Sequence, residues 1–286
     1  MNVFRDPEWL QEFQFQYQGF EEIPASVFDT INSNLDRIQS DDPLVSVVIA
    51  AWNEEINVLR CIASLSRTTT TLPIEIIVVD NNSTDKTAQT LDQLHIKKGF
   101  QPIQGWGPAR QLGMEMAKGK YILLADADGY YPSDWISEMV GALQMEGVAC
   151  VYGRYAFRTA PGYPRWKLFL LEQMKNLISE VRHFKRPYLN ACGMNMGFYR
   201  EQGLKIGFVM RHIRGEDGRM CFDLMQYGRV KQVKSKRAVV WTNPRSLQRD
   251  GSFSQALGQR IIKEMRRFSS LFVPLAPHDT KTSTND

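Results

Sequence analysis

From Leu44 onward the chain alternates continuous apolar runs, bounded by turn residues, with longer segments whose apolar positions recur at helical spacing. The runs are rich in β-branched residues, which suits strands of a parallel sheet covered on both faces. Strands are predicted at 45–51 (VSVVIAA), 74–80 (IEIIVVD), 121–126 (YILLAD) and 148–154 (VACVYGR), separated by helices at about 54–66, 84–94, 107–118 and 133–145. Helix starts are marked by Asn53 ahead of Glu54 and Glu55, by Ser83, and by Ser133 with Asp134 after Pro132. Side chains of these types accept the unpaired N–H groups of a first turn. Gly119 supplies a stop for the third helix.

Before this alternation lies a polar, aromatic-bearing arm that includes a short helix in ASVFDTINSNLDRI, closed by SDDP. We expect it to pack on the main domain. The second half is less regular, with a helix at about 164–180, a strand at 194–200, a helix at 216–227 and, after VVWTNPRS, a basic amphipathic helix near 252–268.

The 286 residues, 43% hydrophobic and 23% charged, allow one large α/β domain or two small ones with a substantial core. A net charge of +4, spread without a dense basic block, favours anionic ligands weakly and argues against nucleic acid. Cys61, Cys150, Cys192 and Cys221 form no C-x-x-C pair and read as reduced, buried thiols. The first residues carry acid and lack an apolar signal core, and LVSVVIAAW is too short to span a bilayer, so a cytoplasmic protein is expected.

The first three core strands close with WNEE, DNNSTD and DADG. In open α/β sheets ligands bind beyond the carboxyl ends of the strands. Asp126 and Asp128 stand two apart on extended backbone and so point to the same side, where their charges repel unless a cation lies between them. Carboxylates at successive strand ends are poorly explained by packing, because buried ones are paired or metal-bound. The competing reading of DADG is an ordinary turn.

Together, VSVVIAAWNEE, IEIIVVDNNSTDKT, GPARQLGMEMAKGKYILLADADG and GED, in this order over residues 44 to about 230, resemble a family 2 glycosyltransferase of the GT-A fold. The resemblance implies an α/β architecture of GT-A type, Rossmann-like and doubly wound. Its mainly parallel sheet would carry helices on both faces, with an irregular acceptor-side C-terminal half. It divides the chain into an extension, 1–42, a catalytic domain, 43–246, and a C-terminal amphipathic helix and tail, 247–286. Within the catalytic domain, 43–130 would bind the nucleotide-sugar and 131–246 would serve the acceptor.

By the same resemblance, Asp126 and Asp128 grip a divalent cation that bridges the donor's diphosphate, with Asp128 the direct ligand and Asp126 partly serving the ribose. Carboxylate oxygens suit Mn²⁺ or Mg²⁺, which stabilises negative charge growing on a leaving diphosphate. Asp80 matches a position that accepts the nucleobase imide N–H, a turn or cap residue in DNNSTD being the competing reading, and Glu54, Glu55 and the backbone from Ala50 to Asn53 line the base and ribose pocket. For Glu54 and Glu55 a favourable place in a helix first turn is the competing reading. Arg110, in GWGPARQLG, either holds the donor or pairs with an acid such as Asp126; Gln111 replaces the commoner asparagine. In RGEDGRM, Asp217 is the expected general base, with Glu216 second, and helix capping is the alternative. Gly193 and Asn195 are placed near the donor sugar or diphosphate, and Arg211, His212 and Arg214 form either a lid or a solvated basic loop. Many relatives carry a metal-binding histidine near the position of Trp241, so a third ligand here falls to water.

The implied activity is a metal-dependent, inverting transfer of a sugar from a nucleotide-diphosphate sugar, UDP-type first, to a hydroxyl of a glycan or lipid-linked acceptor. The alternatives are a sugar-phosphate nucleotidyltransferase, disfavoured by AWNEE after the first strand, and a catalytically inactive scaffold or binding subunit. The last helix has Ile261, Ile262, Met265 and Phe268 near one face amid basic residues. It reads first as docked on its own domain and second as a peripheral contact with the inner face of the cell membrane.

Overall fold

The computed structural model describes residues 4–211, 215–249 and 258. The elements are α1 (Ala25–Ile38), β1 (Val45–Ala51), α2 (Glu55–Leu65), β2 (Ile74–Asp80), α3 (Thr87–Asp92), β3 (Lys97–Phe100), α4 (Trp106–Met116), β4 (Tyr121–Asp126), β5 (Gly129–Tyr130), α5 (Trp135–Leu143), β6 (Val148–Gly153), β7 (Tyr155–Phe157), α6 (Arg165–Lys185), β8 (Met196–Tyr199), α7 (Arg200–Ile206), α8 (Glu216–Leu224), β9 (Arg229–Val233), β10 (Val240–Thr242) and α9 (Arg245–Arg249). A seven-stranded sheet runs in the order β3-β2-β1-β4-β8-β6-β9, and a three-stranded one in the order β5-β10-β7.

β1 is parallel to both β2 and β4, and every residue of β1 and β2 is buried. Alternate side chains of β1 feed two separate layers of core. Val47 and Ile49 pack with α2, α5 and the N-terminal arm, while Val48 and Ala50 pack with α4 and α8. α4 lies so close to the sheet that a Cβ on Gly113 would stand 2.4 Å from Val48 Cγ1. β8 breaks the parallel run by lying antiparallel between β4 and β6.

The chain leaves β1 toward β2 and β3 on one side and returns to β4 on the other. The strand order therefore reverses between β1 and β4, the position at which α/β sheets open a ligand crevice. The register sets the chemistry there, for Ala51 is level with Asp80 and Ala50 with Asp126.

The arm packs on the main domain as expected, burying Leu10, Phe13, Phe28 and Leu35 in the α2 side of the core. Gln39 adds a parallel bridge to Ile74. α3 is shorter than the expected 84–94, because the backbone N–H groups of Thr84 and Lys86 are bonded to Asn53 and to Glu55 at the start of α2. α6 runs on to Lys185, and the expected strand at 194–200 is a 3-10 turn, Gly193–Asn195, followed by β8. β3 and β9 were not anticipated; both are edge strands with charged, partly exposed sequences, KKGF and RVKQV. The cysteines are free thiols, with Cys61, Cys150 and Cys221 buried and Cys192 half-buried. Among the described residues no helix is long and apolar enough to cross a membrane. Apart from residue 258, the helix expected at 252–268 lies outside the described residues, as do His212 and Arg214.

Candidate active site

The loops that follow β1 and β2 are tied to each other. Asn53 adopts φ 53°, a left-handed conformation that asparagine tolerates, and its Oδ1 accepts the Thr84 N–H at 2.8 Å. Its own N–H donates to Ser83 Oγ at 2.9 Å, and Glu55 Oε2 accepts the Lys86 N–H at 3.0 Å. Asp80 is buried and accepts the Ser83 N–H at 3.1 Å. Asn81 then bonds the carbonyls of Gln101 and Ile103 and accepts the Gly105 N–H, fixing the entry to α4. Asn53, Glu55 and Asp80 therefore brace the rim of the crevice in this structure.

The acids gather beyond β4 around two arginines. Arg110, in the first turns of α4, donates to Asp126 Oδ1 at 3.0 Å, to Glu216 Oε1 at 2.9 Å and to Asp217. The guanidinium is buried, and a Cβ on Gly193 would lie 2.1 Å from its Nη2, so only glycine lets the 3-10 turn pass beside it. Arg245, opening α9, donates to Glu54 at 2.6 and 3.1 Å and to Asp128 Oδ2 at 2.5 Å.

Five carboxylates thus face two guanidinium groups. Burial pushes the Asp126 carboxyl up to about 7; Arg110 pulls it down, while Asp128 and Asp217 add to the rise. Burial, then Asp217, raises Glu216. Glu54 is raised by burial against the opposing pull of Arg245. For Arg110, burial opposes the charge, but Asp217, Asp126 and Glu216 outweigh it and raise its pKa. The cluster is short of positive charge.

Asp126 and Asp128, the acids expected to share a cation, each have a guanidinium beside them. Among the described residues no three His, Cys, Asp or Glu side chains converge as a metal-ligand set. In donor chemistry the cluster nonetheless fits a divalent cation. Its atoms are hard oxygens in excess negative charge, and Arg245, 37% exposed, is the less enclosed of the two arginines.

The expected site residues divide into those that converge and those that do not. Glu54, Arg110, Asp126, Asp128, Glu216 and Asp217 form the cluster. Of the two roles open to Arg110, the acid pairing is present, and it extends beyond Asp126 to the acids of α8. Ala50 is buried in β1 level with Asp126. Asn195 lies beneath, 1% exposed, accepting from Trp135 Nε1 at 2.8 Å and donating to the carbonyls of Arg154 and Ala238 at 2.8 and 3.1 Å. Its amide holds the scaffold together, and Gly193 acts by leaving space. Trp241 is buried, with the Arg165 guanidinium 4.9 Å from its ring centre. Arg245 was missed by the sequence reading, which weighed VVWTNPRS only for a histidine; the arginine directly after Pro244 was the available signal. A groove of about 710 Å³ beside His183, Lys231 and Arg237 shares no residue with the cluster.

Residues 46–203, more than half of the chain, match the family described as Glycosyl transferase family 2. A UDP-Glc:alpha-D-GlcNAc-diphosphoundecaprenol beta-1,3-glucosyltransferase of Escherichia coli is 33% identical over 119 residues, which cover 39% of this chain and 46% of that protein. A hyaluronan synthase of Pasteurella multocida is 25% identical over 221 residues, 71% of this chain and 22% of that one. The chain spans under half the length of such curated relatives. Among solved structures, a mannosyltransferase of Pyrobaculum calidifontis in complex with GDP-Man and Mn²⁺ superposes with TM-score 0.55 at 17% identity, covering 82% of this chain and 72% of that one. Glucosyl-3-phosphoglycerate synthase of Mycobacterium tuberculosis, with Mn²⁺, UDP and phosphoglyceric acid, superposes with TM-score 0.54 at 20% identity, covering 87% and 84%. These likenesses identify the fold as that of the GT-A glycosyltransferases. Joined to the sequence match that runs through the first two acidic strand ends, Arg110 and the paired aspartates, they place the chain in glycosyl transferase family 2.

Proposed function

We propose that this chain is a metal-dependent, inverting glycosyltransferase that moves a sugar from a nucleotide-diphosphate sugar, UDP-type first, to a hydroxyl of a glycan or lipid-linked acceptor. One observation carries the reading. Arg110 bonds Asp126 and Asp217 at once, which brings the acidic pair after β4 and the acid that opens α8, 107 residues beyond Arg110, into one crevice. A donor-binding acid and an acceptor-activating acid must lie that close for a single displacement.

Asp128 and Asp126 would hold Mn²⁺ or Mg²⁺, and the bound cation supplies Lewis acidity toward the leaving diphosphate. Asp217 serves as general base, taking the acceptor hydroxyl's proton as that oxygen forms its bond to the anomeric carbon opposite the breaking bond to phosphate. Arg110 orients Asp217 and keeps a cation beside it; Glu216 is the second candidate base. Asp80 offers a carboxylate to the imide N–H of a pyrimidine or the donor edge of guanine, while Glu54, Glu55 and Asn53 shape the rim around base and ribose. Solved relatives of the same fold carry UDP-GlcNAc, UDP-glucose or GDP-mannose with divalent metal in several cases, which supports the donor class. The Escherichia coli relative named for a diphosphoundecaprenol substrate supports a lipid-linked acceptor.

The test is release of nucleoside diphosphate from UDP-glucose, UDP-GlcNAc and GDP-mannose, with Mn²⁺ or with chelator. The reading expects slow, Mn²⁺-dependent hydrolysis of one donor, lost in Asp217→Asn or Asp128→Asn. Donor binding without hydrolysis or transfer to any glycan would instead indicate an inactive subunit.

A further inference from the structure

Helix α6 is anchored by one face only. Leu168, Leu171 and Glu172 are buried, and Glu172 pairs with buried Arg165 at 3.0 and 2.6 Å. On the other face Trp166, Leu170, Leu177, Val181 and Phe184 are exposed, Leu177 at 68% and Phe184 at 87%. At 3.6 residues per turn these positions fall within about 60° of one another, and Trp166 to Phe184 spans about 27 Å along the axis. Single exposed apolar side chains are ordinary, whereas a continuous stripe marks a contact surface.

The charge around the stripe has one sign. Arg165 and Glu172 neutralise each other inside, and Lys175 turns back to the carbonyl and ring of Tyr155. The helix also carries Lys167, Arg182 and Lys185, with Lys185 exposed. Its other acid, Glu180, is held by Arg154 at 2.7 Å and Lys234 at 2.5 Å. A second copy laid on this stripe would set Lys167 and Lys185 against like charges in either direction, which costs rather than gains. An apolar ridge with aromatic rings at both ends and cations alongside suits a flat anionic lipid interface.

We propose that α6 is a membrane-docking surface, lying in the headgroup region of an anionic bilayer with Trp166, Leu177 and Phe184 inserted and the basic residues at the phosphates. Tyr163 Oη donates to the Leu247 carbonyl at 3.1 Å, and Leu247 packs with Leu168 and Leu171, so the chain leaves α9 beside this helix. The sequence that follows, QRIIKEMRRF, has the same basic and apolar composition. Docking does not depend on the proposed reaction.

The test is flotation of the full chain with vesicles of phosphatidylcholine alone and of phosphatidylcholine mixed with phosphatidylglycerol, alongside Leu177→Ser/Phe184→Ser and Lys185→Glu. Both positions of the double variant are exposed, so its unfolding midpoint stays that of the wild type. The wild type is expected to float with the anionic vesicles and to release with salt. The double variant should lose about tenfold or more of that binding, and Lys185→Glu several-fold at low salt. A wild type that stays down with both vesicle types overturns the proposal. So does a double variant that floats unchanged, which would assign binding to another segment, or one whose molar mass by ultracentrifugation falls, which would assign the stripe to self-association.

Discussion

Replacing Arg110 by methionine removes the charge on which Asp126, Glu216 and Asp217 converge while keeping most of the side chain's length. Breaking a buried ion pair by deleting one partner costs about 3–5 kcal/mol, because the other charge stays buried without compensation. Three acids depend on this guanidinium, but their losses do not add, since they share one partner. Asp217 and Asp126, at 17% and 29% exposure, can also recruit water, whereas Glu216, at 5%, cannot. The expected loss is therefore near the lower end, about 3 kcal/mol at neutral pH. Its pH dependence is the sharper signature. Asp126 and Glu216, which burial raises above their unfolded values, contribute stability while protonated and lose it as pH rises through the folded value. The deficit of Arg110→Met should then be largest near about pH 7.5 and shrink toward about pH 5. Urea unfolding of wild type and variant at both pH values reads it directly. A deficit under about 1 kcal/mol that ignores pH would refute the reasoning, because that is the behaviour of an exposed pair.

Asp128→Asn should abolish metal-dependent donor binding in calorimetry. Asp217→Asn should keep it and lower turnover by about 10²- to 10⁴-fold, the range of a general base, in a product-release assay. Arg245→Ala frees Asp128 and Glu54 from their present partner, so Mn²⁺ should bind it several-fold more tightly; unchanged or weaker affinity would mean that arginine and cation do not compete. Gly193→Ala sets a Cβ against Arg110, and a stability loss of about 1–3 kcal/mol is expected by thermal unfolding.

How legible each part was in the sequence follows from where its stabilisation arises. β1, β2 and β4 are buried nearly throughout, so their composition alone marks them, and the polar residues closing them were visible as a crevice. β3 and β9 owe their pairing to a neighbour at the sheet edge, and their charged, partly exposed sequences resemble loop. β5, β7 and β10 have two or three residues each, too few for a period. Arg110 was recognised as a partner for Asp126, but its bonds to α8 depend on closure of the fold across 106 and 107 residues. Arg245 reaches Glu54 from 191 residues away, a contact with no local signature. Asn195 was placed near the donor from its motif, whereas buried Trp135 and two carbonyls claim its amide.

The central claim is that the acids beyond β4 hold a divalent cation against a nucleoside diphosphate. A crystal structure with UDP and Mn²⁺ tests it most directly. The account predicts the metal on Asp128 and the diphosphate, with Arg245 moved off that carboxylate and Asp217 facing the same cavity. UDP bound without metal, with both arginine pairs intact, would contradict it.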